Sequence, residues 1–237
     1  MRIRSSLSSA LRASPLATVV LLAACSDAAV VGSPGRHIGR HIDIDDDAVA
    51  LSSQVAVSNV AVRVVPVEGG AATPGYALTV VAEVAPPGAA GGALEATAIA
   101  FDGARAFVSY GTPGPVERGA VDVFELAGDG YLRLTSRTMI EDSDVNAVAA
   151  SGDRLWLAGS TAAAGGSRGM LEGVTLRDGT PSLEDRVHVD LGVGAVWSIA
   201  IGADRVFAIG DHAVHALDPA TGHVARVARS EPRSVAA

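Results

Sequence analysis

No lysine occurs in this chain of 237 residues, so all 18 basic side chains are arginine, set against 26 acidic ones for a formal charge of −8. A surface with that balance repels a phosphate backbone, which excludes nucleic acid as a partner. Cysteine occurs once, at Cys25, and a lone thiol excludes a disulfide within the chain. Aromatic residues make up 4% of the sequence, too few for the exposed platforms on which a lectin-like site stacks sugars. Histidine is scattered over His37, His41, His188, His212, His215 and His223. Of these, His212 and His215 would share a face of a helix, but on a strand they point to opposite sides, so no metal pair is expected. The sequence calls for neither metal nor cofactor. What the chain does have is apolar content, 49% hydrophobic residues, enough for the core of one all-β domain.

The first 25 residues are organised for export. "MRIRSSLSSALR" is a positively charged start, "ASPLATVVLLAA" a short apolar run, and Cys25 follows at once. The apolar run is too short for a hydrocarbon core that needs about 20 residues, so it reads as a signal and not a membrane span. "LAAC", Leu22 to Cys25, resembles the lipobox of bacterial lipoproteins. That resemblance implies cleavage before Cys25, acylation of Cys25, and anchoring by several acyl chains, since one chain alone holds a protein only marginally. Ser26 in place of aspartate resembles the outer-membrane sorting pattern, which places the protein in the cell envelope, facing the periplasm. Loss of Arg2, Arg4 and Arg12 leaves 15 arginines against 26 acids, a net of −11. Residues 1–24 are thus expected to be a signal peptide, and residues 25–47, aperiodic and rich in glycine, histidine and aspartate, a flexible tether.

From residue 48 the chain repeats. Ala48-Val49-Ala50-Leu51, Ala98-Ile99-Ala100-Phe101, Ala147-Val148-Ala149-Ala150, Ser198-Ile199-Ala200-Ile201 and Ser234-Val235-Ala236-Ala237 start 50, 49, 51 and 36 residues apart. After three of these tetrads, "DGARAFVSYG", "SGDRLWLAGS" and "GADRVFAIGD" put Arg105, Arg154 and Arg205 two residues before Phe107, Trp156 and Phe207. Two further apolar runs complete each unit. Four short strands with Gly/Asp turns between them, at this period, form the pattern of a β-propeller blade. The crowded innermost strand takes the small and β-branched tetrad, and the middle strands, buried on both sides, read as continuous apolar runs. The expected fold is all-β, a propeller of four four-stranded blades with units starting near 48, 98, 147 and 198. The closing "RSVAA" would be the first strand of a fifth, in an incomplete ring, the alternative being that it closes a four-bladed ring by completing a blade begun at the N-terminus.

"ALDPATG", Ala216 to Gly222, resembles the turn of YVTN and quinoprotein-like propeller repeats. Asp218 can accept from amides ahead, Pro219 presets the turn and Gly222 supplies a positive φ. Arg226 stands where quinone-dependent dehydrogenases carry a docking tryptophan, so the resemblance implies fold and not cofactor. The scaffold subunit of the outer-membrane barrel assembly machine is similar in anchor and architecture.

Three motifs carry weaker chemistry. "GGSRG", Gly165 to Gly169, fits the nucleophile-elbow expression at Ser167, but an elbow needs a helix after it and a strand is expected there. "DSDVN", Asp142 to Asn146, with Asp153, follows a calcium loop loosely, with Ala147 where the loop needs glycine; solvated acids are the simpler reading. Asp43, Asp45, Asp46 and Asp47 read as tether charge. Trp156 and Trp197 read as core or inter-blade packing. The functional expectation is a non-enzymatic binding or scaffolding module, held on a membrane through Cys25 and taking a protein or small-molecule ligand. The alternative is part of a propeller enzyme whose catalytic residues lie on other blades.

Overall fold

The computed structural model describes residues 42–62, 78–89, 92–128 and 131–229. In chain order they form β1 (Ile42–Asp45), α1 (Ala48–Ser52), β2 (Val55–Val62), β3 (Leu78–Val84), β4 (Gly88–Ala89) and β5 (Gly92–Ala93). There follow β6 (Glu95–Asp102), β7 (Arg105–Gly111), β8 (Gly119–Leu126), β9 (Leu132–Ile140), β10 (Ser143–Ser151) and β11 (Arg154–Thr161). The series ends with β12 (Arg168–Arg177), β13 (Thr180–Val193), β14 (Val196–Ile201), β15 (Val206–Gly210), β16 (Ala213–Leu217) and β17 (Val224–Arg229). The fold is all-β, built from small antiparallel sheets. β6 to β9 form the first sheet, with β1 added on the outer edge of β9; β10 to β13 form the second and β14 to β17 the third.

Strand order within each sheet follows chain order, so tight turns suffice. Gly103 and Gly152 sit at φ 62 in the turns after β6 and β10, a conformation that favours glycine. "TPGPVERG" and "TAAAGGSR" fall between second and third strands, and the third sheet replaces that excursion with Asp211 and His212 alone. The tetrads beginning at Ala98, Ala147 and Ser198 all lie on the first strand of their sheet. Each is preceded by a β-bulge, with register shifts between Ala96 and Ala98, Val145 and Ala147, and Val196 and Ser198. A bulge re-aims the extra residue out of the ladder. Thr97 accordingly donates to Val145 O (2.5 Å) and Asn146 to Val196 O (3.0 Å), each tying one first strand to the next.

The sheets stack face to face. Phe107, Val121 and Val123 of the first sheet share a buried cluster with Val145, Val148, Leu155 and Leu157 of the second. On the other side of the second sheet, Trp156, Ala158 and Leu171 pack with Val196, Val206, Ala208 and Leu217 of the third. The aromatic two residues after each arginine always faces onward. Phe107 is 0% exposed and Trp156 2%, while Phe207, with no described sheet beyond it, is 38% exposed. Each such burial contributes about 1.5–3 kcal/mol relative to exposure. Arg105 reinforces the first joint by donating to Gly152 O of the next sheet at 3.0 Å.

The first repeat unit departs from expectation. Ala48 to Leu51, read as an innermost strand, is the helix α1, because the Asp47 carboxylate accepts from Val49 N (3.1 Å) and Ala50 N (3.0 Å) and caps it. Leu51 is buried against Ala106, Phe124 and Leu134, so α1, with Val55 and Val84 of the β2–β3 hairpin, covers the leading face of the first sheet. A four-stranded blade is therefore not seen in this region; among the described residues it holds α1, β2, β3 and the short β4–β5 ladder. The end of the segment read as tether is likewise ordered, since Ile42 to Asp45 pair with Ile140 to Arg137. Cys25, the signal segment, the rest of the tether and "RSVAA" lie outside the described residues. Among the described residues no helix is long and apolar enough to cross a membrane.

Candidate functional site

At one end of the stack the connections between second and third strands meet those between consecutive sheets, and side-chain carboxylates fasten them. Asp144, at the start of β10, accepts at Oδ1 from Thr112 N (2.9 Å) and Arg118 N (3.0 Å), which fixes the loop from Thr112 to Arg118. Gly194 N donates to Ser167 O (3.1 Å). Asp211 accepts from Ala195 N (2.9 Å) and from Trp197 Nε1 (2.5 Å). Gly119 belongs to this crowding: a Cβ there would stand 2.6 Å from Ser143 O.

Beside this fastened end, on the first sheet, lies an open cleft of about 520 Å³ lined by Ile42, Asp43, Gly88, Ala89, Arg118, Met139, Ile140 and Glu141. β1 makes it, because pairing on the edge of β9 brings Asp43 opposite Met139. The cleft combines an apolar floor, two exposed carboxylates and one guanidinium. Such a lining can hold a ligand with apolar and charged groups together. Among the described residues that line it there is no hydroxyl, thiol or imidazole.

Two buried charge clusters lie within sheets. Asp122, fully buried, accepts from Arg137 Nε (2.7 Å) and Nη2 (2.7 Å) and from the Tyr110 hydroxyl (3.1 Å), and Arg137 Nη1 reaches Gln54 Oε1 (2.9 Å). Burial, and then the Asp122 charge, push the Tyr110 phenol far above its usual range, and the bond to Asp122 raises the Arg137 guanidinium. Glu172 on β12 is paired with Arg186 Nε (2.7 Å) and His188 Nδ1 (3.3 Å) of β13. Burial alone would raise the Glu172 carboxyl, but the His188 and Arg186 partners outweigh it and hold it below the usual carboxylate range. These groups bridge strands of one sheet and keep polar atoms satisfied under packed faces.

The sequence candidates are not brought together. Ser167 is exposed in the β11–β12 connection, with a strand and not a helix after it. Asp142 and Asp144 stand at the start of β10 and Asp153 beyond its far end, so no single ion can draw on all of them. Asp144 is also a loop fastener and not a solvated acid. His215 is buried on β16 while His212 is exposed in the preceding turn; His37 and His41 lie outside the described residues. Among the described residues no group of three or more His, Cys, Asp or Glu side chains could hold a metal. The "ALDPATG" turn has the mechanics expected of it. Ala220 N donates to Asp218 Oδ1 (2.9 Å), Gly222 sits at φ 71, and that Ala220 bond heads the causes that lower the Asp218 carboxyl. Trp156 packs between sheets as expected, but Trp197, the bulge residue of β14, is 59% exposed.

Sequence reasoning missed the cleft, because its lining comes from four separated stretches. It also missed the fasteners Asp144 and Asp211, although each stands beside a strand start that the repeat marks. Compared with models of known protein families, with curated protein sequences and with solved structures, the chain matches none of them.

Proposed function

We propose that this chain is an extracytoplasmic β-propeller-type module, anchored in the cell envelope through acylated Cys25, which binds or scaffolds a partner and does not transform it. One observation carries the propeller reading. Three consecutive antiparallel sheets stack face to face, each entered by its first strand after a bulge, and the first two each pack an aromatic residue against the next. The anchor rests on "LAAC" and the charged and apolar segments before it. The partner sits at the fastened end, where the cleft beside Arg118 and Glu141 offers the shaped surface. A binding role is supported by how the strongly perturbed groups are used: Tyr110, Arg137 and Glu172 are engaged in tying neighbouring strands of one sheet together.

Two measurements test this. Cys25→Ser should abolish incorporation of labelled fatty acid and release the chain from membranes; retention on membranes without acylation refutes the anchor. Calorimetry of the purified protein against a quinone cofactor with calcium should show no heat. Saturable uptake would overturn the non-enzymatic reading in favour of a propeller dehydrogenase.

A further inference from the structure

Among the described residues the stack has two open flanks, and each is one half of a joint that the molecule already makes twice. At both internal joints the first strand of the following sheet lies on the sheet before it: β10 across β6, β7 and β8, and β14 across β10, β11 and β12. The second and fourth residues of the tetrad enter the joint. Val148 and Ala150 pack in the cluster that holds Phe107, and Ile199 and Ile201 against the one that holds Trp156.

The counterparts on β6 are Ile99 and Phe101. They stand opposite Val108 and Ala106 on β7, and therefore on the leading face with α1. Both are open, at 57% and 64% exposure. The cover given by α1 and the β2–β3 hairpin reaches Ala106, Phe124 and Leu134, on β7, β8 and β9, and stops short of β6. At the other flank, Phe207 and Ile209 on β15 are 38% and 45% exposed. Val206 and Ala208, which alternate with them, are buried against the second sheet, so Phe207 and Ile209 point away from it. Their neighbours across the ladder on β14 are Ala200 and Ser198, small and uncharged.

We propose that a second copy of the chain joins these flanks. β6 of one copy lies on β14 and β15 of the other, with Ile99 against Phe207, and the converse contact closes the pair. The partner is the chain itself because it carries both halves of its own repeated joint, the apolar pair of a tetrad and the aromatic face that receives it. A contact between unlike faces either closes into a ring or runs on as a filament. Each copy contributes three stacked sheets, and propellers close with about 4 to 8 blades. Two copies supply six, whereas one falls short and three overshoot. The inference rests on the stacked-sheet reading above, and on neither the anchor nor the cleft.

The test uses the full chain with Cys25→Ser. Sedimentation equilibrium over a range of concentrations should show monomer and dimer and nothing larger. Ile99→Asp and Phe207→Asp, at positions open in the single chain, should each raise the dissociation constant roughly tenfold or more and leave the sheet signal in circular dichroism intact; Ile99→Ser and Phe207→Ser replace them should an aspartate disturb folding. A chain with Ile99→Cys mixed with one carrying Phe207→Cys should form a disulfide-linked dimer on mild oxidation far more readily than either chain alone. A chain that stays monomeric, an association that none of these substitutions weakens, or cross-linking as ready within each kind of chain as between them overturns the pairing. A ladder of larger species overturns the closed pair. Ala208→Cys, on the buried side, should resist maleimide in monomer and dimer alike; ready labelling there would refute the stacked sheets themselves and not merely the pairing.

Discussion

Gly173 and Trp156 lie opposite each other on β12 and β11, and their coupling tests how closely the second and third sheets are fitted. A Cβ at Gly173 would stand 2.6 Å from Trp156 Cζ3, 2.8 Å from Cη2 and 2.9 Å from Cε3. The ring cannot step aside freely, since it is 2% exposed and shares its cluster with Val189, Val196 and Val206. Gly173→Ala therefore overpacks the joint and is expected to cost about 1–3 kcal/mol. Trp156→Ala leaves a void and should cost about 3–5 kcal/mol. In the double variant the clash is gone and the alanine methyl occupies vacated space, regaining up to ~0.8 kcal/mol. Its loss should match Trp156→Ala alone or fall slightly below it, giving a coupling energy of about 1–3 kcal/mol. Urea unfolding of the four Cys25→Ser chains, followed by far-ultraviolet circular dichroism, measures all the terms. Single losses that add to within ~0.5 kcal/mol, or a neutral Gly173→Ala, would refute the close fit.

Asp144→Ala leaves Thr112 N and Arg118 N without their shared acceptor; it should cost about 1–3 kcal/mol and speed tryptic cleavage after Arg118, and an unchanged digestion rate would count against the fastener. Glu172 is held below the usual carboxylate range when folded, so the unfolded chain takes up that proton first as pH falls. Its contribution is full above that range and drains away below it. The stability gap between parent and Glu172→Gln should therefore be widest near roughly pH 6 and narrow toward roughly pH 3; a gap constant across urea midpoints would contradict this. Thr138 is 5% exposed and its hydroxyl has no hydrogen-bond partner among the described residues. Thr138→Val should thus gain up to about 1 kcal/mol, and a loss of that size in the same urea assay would show that the hydroxyl is bonded.

Three of the four sheet-starting tetrads read correctly as strands, because the small and β-branched residues answer to a constraint that recurs at every joint. The fourth, at Ala48, has the same composition and forms a helix. Composition alone could not separate them; Asp47 decides, through a cap that the sequence displays but that reads equally well as tether charge. Ile42 to Asp45 misled for a related reason. Their alternation of isoleucine and aspartate suits an edge strand, but the strand they pair with lies about ninety residues on. The cleft was illegible because it depends on that long-range pairing. Trp197 was misplaced because a bulge shifts the alternation by one and turns an apparent core residue outward.

The pairing of β1 on β9 also sets how the molecule would bear load. Its four residues run antiparallel along Leu132–Ile140, with Ile42 opposite Ile140 and Asp45 opposite Arg137. Tension arriving at the leading end of the chain and directed along that strand would be shared by its inter-strand bonds at once, sliding one strand past another, whereas a perpendicular tug would open them singly. Were the proposed anchor at Cys25 pulled against a bound partner, the tension would reach this seam before the stacked sheets. The sheets behind it, with Phe107 and Trp156 between them, would stay shielded until the seam gave way.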